Sequence, residues 1–299
     1  VARAAEQESM MFLTGDLGFM ALEALQSAMG PRFVNCGVAE QNMMGVAAGL
    51  AHEGLEAWTY TIAPFCYART FEQIRNDICM HRLPVKLLAN GGGYGYGVMG
   101  ATHHALEDYG ILLSLPGMVA FVPAFDEDVF DVVAAAGSGT SPSYIRLGRG
   151  EPPRGEAVPA YAPWRRLLNG SAGVMVAVGP LAGSAWSVLR DMPQEERPAL
   201  WAVCELPLGA APPPEEFCSA LHRSSALAVV EEHVAHGGLG QAICLWAMNE
   251  DLVPQKFLHL CASNAPRATY GSQIFMRKQA GLDPASIAAA AVLLAKVPA

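Results

Sequence analysis

Apolar residues in this chain cluster in short blocks, separated by longer stretches with helical spacing, and the alternation repeats along its length. Blocks at 10–14, 32–36, 57–61, 84–89, 119–122 and 143–147 read as buried strands. Residues 19–29, 39–53, 65–82, 106–114 and 126–136 carry helical patterns between them. A stretch rich in Pro, Gly and Ala at 151–170 interrupts the rhythm. It then resumes with strands at 173–178, 200–203, 226–230 and 258–260, and helices at 182–190, from Gly240 onward and at 284–295. Continuous apolar strands alternating with helices imply parallel sheets covered on both faces. The expected fold is α/β, with two doubly wound domains of mainly parallel sheets. Their expected bounds are 1–155 and 171–299, joined by a linker at 156–170. Ligands of such folds bind at the carboxyl ends of strands, where Asp16, Glu40 and the glycine loop after Ala89 fall.

Composition narrows the function classes. The 299 residues, 52% hydrophobic and 16% charged, suffice for a large core and exclude a disordered chain. The net charge of -9, with no basic cluster denser than Arg165-Arg166, excludes a nucleic-acid surface. The longest apolar run, 287–295, is too short to span a bilayer, and no charged-then-apolar leader opens the sequence. Seven scattered cysteines without a Cys-x-x-Cys pair suggest reduced thiols and a cytoplasmic protein. No set of residues reads as a metal site.

Two stretches carry candidate chemistry. The first is Gly37-Val38-Ala39-Glu40-Gln41-Asn42-Met43-Met44-Gly45-Val46-Ala47-Ala48-Gly49-Leu50. It sets one carboxylate, Glu40, at the start of an apolar helix whose small residues permit close packing. A charge there needs a fixed partner; the bland alternative is a helix cap. The second is Asn90-Gly91-Gly92-Gly93-Tyr94-Gly95-Tyr96-Gly97-Val98-Met99-Gly100, running into Ala101-Thr102-His103-His104. Its glycines allow close backbone approach to a ligand, without the spacing of a dinucleotide-binding loop.

Taken in order, several motifs resemble the transketolase family. They are Gly15-Asp16-Leu17, the Glu40 stretch, Ala63-Pro64-Phe65 and the run from Arg69-Thr70-Phe71 to Asp77. The resemblance continues through Gly100-Ala101-Thr102-His103-His104, Tyr144-Ile145-Arg146-Leu147-Gly148-Arg149-Gly150 and Val230-Glu231-Glu232-His233 with Gly237-Gly238-Leu239-Gly240. It spans nearly the whole chain but covers only the pyrimidine-binding and C-terminal parts of that family. The family's Gly-Asp-Gly motif for the diphosphate is absent, since Gly15-Asp16 is followed by Leu17. The resemblance therefore implies the C-terminal subunit of a split, thiamine-diphosphate-dependent enzyme. An N-terminal diphosphate-binding subunit would supply the magnesium ligands, in an α2β2 heteromer.

It also implies roles. Glu40 corresponds to the glutamate that bonds the aminopyrimidine ring nitrogen, Phe65 to the aromatic stacked on that ring, and Asp16 to an aspartate near the thiazolium side. Arg69, close by, is a further candidate cofactor contact that Arg75 and Asp77 could instead tie into structure. His103 corresponds to a histidine that reaches the substrate oxygen and assists proton transfer. His104 replaces a glutamine beside it, and Arg149 corresponds to an arginine on the substrate phosphate. Taken singly, Phe65 could be a core aromatic, Asp16 a turn residue and Arg149 a solvated arginine. Three departures stand out: Met99 replaces an aspartate that reads a substrate hydroxyl, Gly91 a phosphate-contacting histidine, and Met20 a serine. They point away from ordinary pentose phosphates, towards a pyruvate-like donor or a modified or nucleotide-linked sugar. The expected activity is transfer of a two-carbon ketol or acyl unit to an aldehyde or sugar acceptor. A pyruvate-decarboxylating synthase of the deoxyxylulose-phosphate type and a non-catalytic scaffold subunit are the competing expectations. The second half is expected to pack and dimerise rather than catalyse.

Overall fold

The computed structural model describes residues 1–262 and 270–297. Its strands are β1 (Met10–Thr14), β2 (Phe33–Asn35), β3 (Glu56–Ile62), β4 (Lys86–Asn90), β5 (Val119–Phe121), β6 (Ser143–Leu147), β7 (Trp164–Leu168), β8 (Val174–Val178), β9 (Ala199–Val203), β10 (Glu205–Leu206), β11 (Ala226–Val230) and β12 (Lys256–Leu260). The helices are α1 (Ala2–Glu6), α2 (Glu23–Met29), α3 (Glu40–His52), α4 (Ala63–Tyr67), α5 (Phe71–Gln73), α6 (Asp108–Leu112), α7 (Asp128–Ser138), α8 (Leu181–Leu189), α9 (Glu215–Ser224), α10 (Leu239–Asn249), α11 (Gln273–Gln279) and α12 (Pro284–Leu294).

A seven-stranded sheet in the order β10-β5-β6-β4-β3-β1-β2 is followed by a five-stranded sheet in the order β12-β11-β8-β9-β7. Both are parallel except at one edge, where β10 runs antiparallel to β5 and β7 antiparallel to β9. The α/β expectation holds. Strand alternation sends Leu13 to one face, where it joins Met43, Met44 and Ala47 of α3, and Phe12 to the other, with Trp58, Met29 and Val132. Fully burying each such large side chain contributes about 1.5–3 kcal/mol.

Four local readings change. Residues 164–168, placed in the linker, form β7, whose Arg165 is buried and paired with Asp128. Residues 19–22 are not helical: Asp16, Gly18 and Met20 all take positive φ, so the helix starts only at Glu23. The helix expected over 65–82 is broken into α4, α5 and a wide π-helical turn at Ile74–Cys79. The break follows Tyr67 and is spanned by the Thr70 hydroxyl, which donates to the Cys66 carbonyl. Finally, α9, α11 and β10 have no counterpart in the sequence reading.

The two sheets are locked by Glu231, Glu232 and His233 at the end of β11. Glu231 accepts hydrogen bonds from the Tyr109 hydroxyl, the Leu239 and Gly240 amides and His259. Glu232 accepts from the Tyr94 amide at 2.9 Å and pairs with Arg277 at 2.7 Å. Buried Arg146 binds Asp108 through Nε at 2.8 Å and the Ala105 and Glu232 carbonyls through Nη2. The His233 ring stacks on Tyr109 with centroids 3.9 Å apart. Its Nε2 accepts the Gly110 N–H, so Nδ1 carries the proton donated to the Val234 carbonyl.

That geometry requires a neutral imidazole. Burial lowers the His233 pKa, against a weaker upward pull from Asp108 and Glu231. The unfolded chain takes up this proton near the ordinary value of about 6.5. Stability from His233 is therefore complete above that value and is lost as pH falls below it. Chemical denaturation at pH 7.5 and 5.5 should give a lower unfolding free energy at 5.5, and His233→Phe should flatten that dependence.

Candidate active site

The site forms where β1, β3 and β4 end. In α3 the buried residues are Glu40, Met43, Met44, Ala47, Ala48 and Ala51, a single helical face. The same periodicity that packs the methionines therefore turns the Glu40 carboxylate inward, to 2% exposure. It stands at the first position of α3, where the helix dipole favours a negative group. At Oε1 it accepts the Thr61 hydroxyl of β3 at 3.2 Å, and at Oε2 the Arg69 guanidinium at 2.6 Å. Gly15, at the end of β1, lies beside it: a Cβ there would sit 3.4 Å from the Glu40 Cγ. The carboxylate makes no capping hydrogen bond to the amides of its own helix; its partners come from β3 and the α4–α5 break.

Arg69 lies in the break between α4 and α5, so it can turn back towards α3. Its guanidinium carbon sits 4.2 Å from the centre of the Phe65 ring. The half-buried Phe65 ring in turn meets His103 edge-on at 5.3 Å. His103 Nδ1 lies 3.0 Å from the Thr102 hydroxyl, and Tyr96 stands beyond, 6.4 Å between ring centres. Glu40, Arg69, Phe65, His103 and Tyr96 thus form one continuous wall.

The other candidates lie around this wall. Asp16 is exposed and accepts from Asn35 at 2.8 Å, tying the ends of β1 and β2 together. His104 is buried, edge-on to Tyr94, with Nε2 3.2 Å from the Gly97 carbonyl, so its ring is engaged inside the loop. Arg149 is exposed, and no hydrogen bond or ion pair engages it among the described residues. Met99 is 56% exposed at the loop rim.

Thr61 and Tyr96 were not singled out by the sequence reading. Thr61 reads only as a strand residue. Tyr96 accepts from Asn90 Nδ2 at 2.8 Å, and its ring fills the space any side chain at Gly91 would need. Burial raises the pKa of both Tyr96 and Tyr60, keeping these phenols neutral. Cys66, behind the wall, is pushed well up by burial and then by Asp108 and Glu40, so it stays a thiol.

A buried carboxylate beside an aromatic face suits a planar, nitrogen-bearing ring that can both hydrogen-bond and stack. Among the described residues there is no group of three or more His, Cys, Asp or Glu placed to hold a metal ion. Residues 2–154 match the family model for the transketolase pyrimidine binding domain. This chain belongs to the transketolase family. It is 28% identical to one of the subunits of the apulose-4-phosphate transketolase of Phocaeicola vulgatus, over 98% of this chain and 94% of that protein. It is 30% identical to a putative transketolase C-terminal section from Methanocaldococcus jannaschii, over 79% of this chain and 75% of that one. A solved structure described as a split gene transketolase, inactive beta4 tetramer, superposes with a TM-score of 0.82 at 28% identity, covering 99% of this chain and 95% of its own. The chain thus corresponds to the C-terminal subunit of a split transketolase, a thiamine-diphosphate-dependent transferase. The Glu40 wall lies in its pyrimidine-binding part.

The tight packing of the loop is testable. At Gly91, with φ of 77°, a Cβ would lie 2.2 Å from the Tyr96 ring. Gly91→Ala should cost about 2–4 kcal/mol of stability in urea denaturation. Adding Tyr96→Ala should recover the steric part of that loss.

Proposed function

We propose that this chain supplies the aminopyrimidine-activating half of a two-subunit transketolase that moves a two-carbon ketol unit from a sugar phosphate donor to an aldehyde or sugar acceptor. The buried Glu40 carboxylate, held by Thr61 and Arg69 beside the Phe65 ring, is the observation that carries this reading. When bound, thiamine diphosphate supplies an ylid carbon that adds to a carbonyl and an electron sink for the resulting carbanion. The residues present fit its aminopyrimidine. Glu40 would hold or share a proton with the ring nitrogen at its carboxylate, and Phe65 would offer the stacking face, over which Arg69 lies. Asp16, tied to Asn35 at the end of β1, would stand on the outer side.

His103 acts on the substrate side. Thr102 engages Nδ1, which leaves Nε2 to meet a substrate oxygen and pass a proton to it. His104 supports this loop from within. Arg149 is free to grip a phosphate through paired charged hydrogen bonds. The name of the Phocaeicola vulgatus relative, which specifies apulose-4-phosphate, favours a sugar phosphate here as well. Met99 offers a thioether at the rim, so no carboxylate at that position reads a substrate hydroxyl.

A partner chain brings the diphosphate cradle and the magnesium ligands. Magnesium takes hard oxygen ligands, which that partner and the diphosphate would supply. The assembly proposed is an α2β2 heteromer. Cys36, Cys66, Cys79, Cys204, Cys218 and Cys244 are reduced thiols, which favours the cytoplasm, and no helix among the described residues is long and apolar enough to cross a membrane.

In the assembled enzyme, Glu40→Gln should lower kcat by about 10²–10⁴-fold in a coupled turnover assay. Turnover at the wild-type rate would overturn the catalytic role and favour a scaffold subunit. Carbon dioxide released in step with product would instead identify a pyruvate-decarboxylating synthase.

A further inference from the structure

The same side chain takes both surfaces that an aminopyrimidine would need. Arg69 Nη1 occupies Glu40 Oε2 at 2.6 Å, while the guanidinium carbon lies 4.2 Å over the centre of the Phe65 ring. Thr61 already engages the other carboxylate oxygen. A guanidinium is a planar, nitrogen-rich cation. It presents N–H groups to a carboxylate and a flat face to an aromatic ring. Those are the features by which a protonated aminopyrimidine would be held in the same place.

We infer that Arg69 is a placeholder: in the subunit without cofactor its guanidinium occupies the aminopyrimidine seat, and binding of thiamine diphosphate displaces it. This rests on the cofactor reading given above. Three further features fit the inference. The Arg69 side chain is 41% exposed, so it can swing into water without burying a charge elsewhere. It sits in the break between α4 and α5, where its amide makes only a long bond, 3.4 Å, to the Pro64 carbonyl. Glu40, by contrast, is 2% exposed and fixed in α3; an unpaired carboxylate there would be costly. The placeholder keeps that carboxylate paired and the Phe65 face covered until the cofactor arrives.

The test compares the dissociation constant for thiamine diphosphate with saturating magnesium, by equilibrium dialysis. It uses the complex of this chain with its diphosphate-binding subunit, carrying either Arg69 or Arg69→Met. Methionine cannot pair with Glu40, so the cofactor no longer has an ion pair and a stacked cation to displace. The variant should bind about five- to thirty-fold more tightly. Arg69→Lys, which keeps the charge but not the planar face, should fall between the two. Equal or weaker binding by Arg69→Met would overturn the inference and make Arg69 a direct cofactor ligand or a bystander. Loss of detectable binding by wild type and variants alike would instead overturn the cofactor reading on which the inference rests.

Discussion

Removing a carboxylate from water costs several kcal/mol unless it is paired and hydrogen-bonded, and the carboxyl edge of the first sheet is arranged around meeting that demand for Glu40. The helix α3 turns the carboxylate inward with its methionines, β3 contributes the Thr61 hydroxyl, and the broken α4–α5 segment returns Arg69. Gly15 leaves the room. Each of these elements has a separate reason to form, but they meet only because one oxygen pair must be satisfied from two sides. Once the carboxylate is fixed, Arg69 fixes itself over Phe65, and Phe65 meets the edge of His103. The same network that makes the burial tolerable therefore aligns the groups that would act on a cofactor ring and a substrate oxygen.

The second constraint is the seam between the sheets. Arg146 reaches from β6 to the Glu232 carbonyl, and Tyr109 donates to Glu231, so the glycine loop and α6 are braced by the second half of the chain. Glu232 also holds the loop directly through the Tyr94 amide. The C-terminal part thus shapes the site at one remove, through backbone and buried polar groups, while none of its described side chains joins the wall that carries the chemistry.

Much of the fold was legible because its strands are continuous apolar blocks bounded by glycine and polar turns, a pattern parallel sheets produce whatever the family. The ordered motifs pointed to Glu40, Phe65 and His103, which the fold brings into one wall. What escaped has physical causes. β7 carries Arg165 and Arg166 in a Pro- and Gly-rich stretch, and the buried partner Asp128, 37 residues away, together with the Pro159 carbonyl makes a buried arginine acceptable there. Residues 19–22 have helical spacing, but the positive φ at Asp16, Gly18 and Met20 stops the helix from starting. Thr61 gives no signal in a strand otherwise read as apolar. Tyr96 was hidden because the space at Gly91 is filled from five residues further on, a relation that exists only once the loop has folded. The Glu231-Glu232-His233 seam joins residues more than eighty positions apart, beyond any local periodicity.

The central claim is that this chain holds one half of a cofactor site and that a second subunit holds the other. Calorimetric titration of thiamine diphosphate and magnesium tests it directly, with this chain alone and with this chain mixed with a diphosphate-binding transketolase subunit. The account predicts tight binding in the mixture and none by the chain alone. Tight binding by the chain alone would contradict it, because the diphosphate and its metal would then have to be held by residues assigned here to packing.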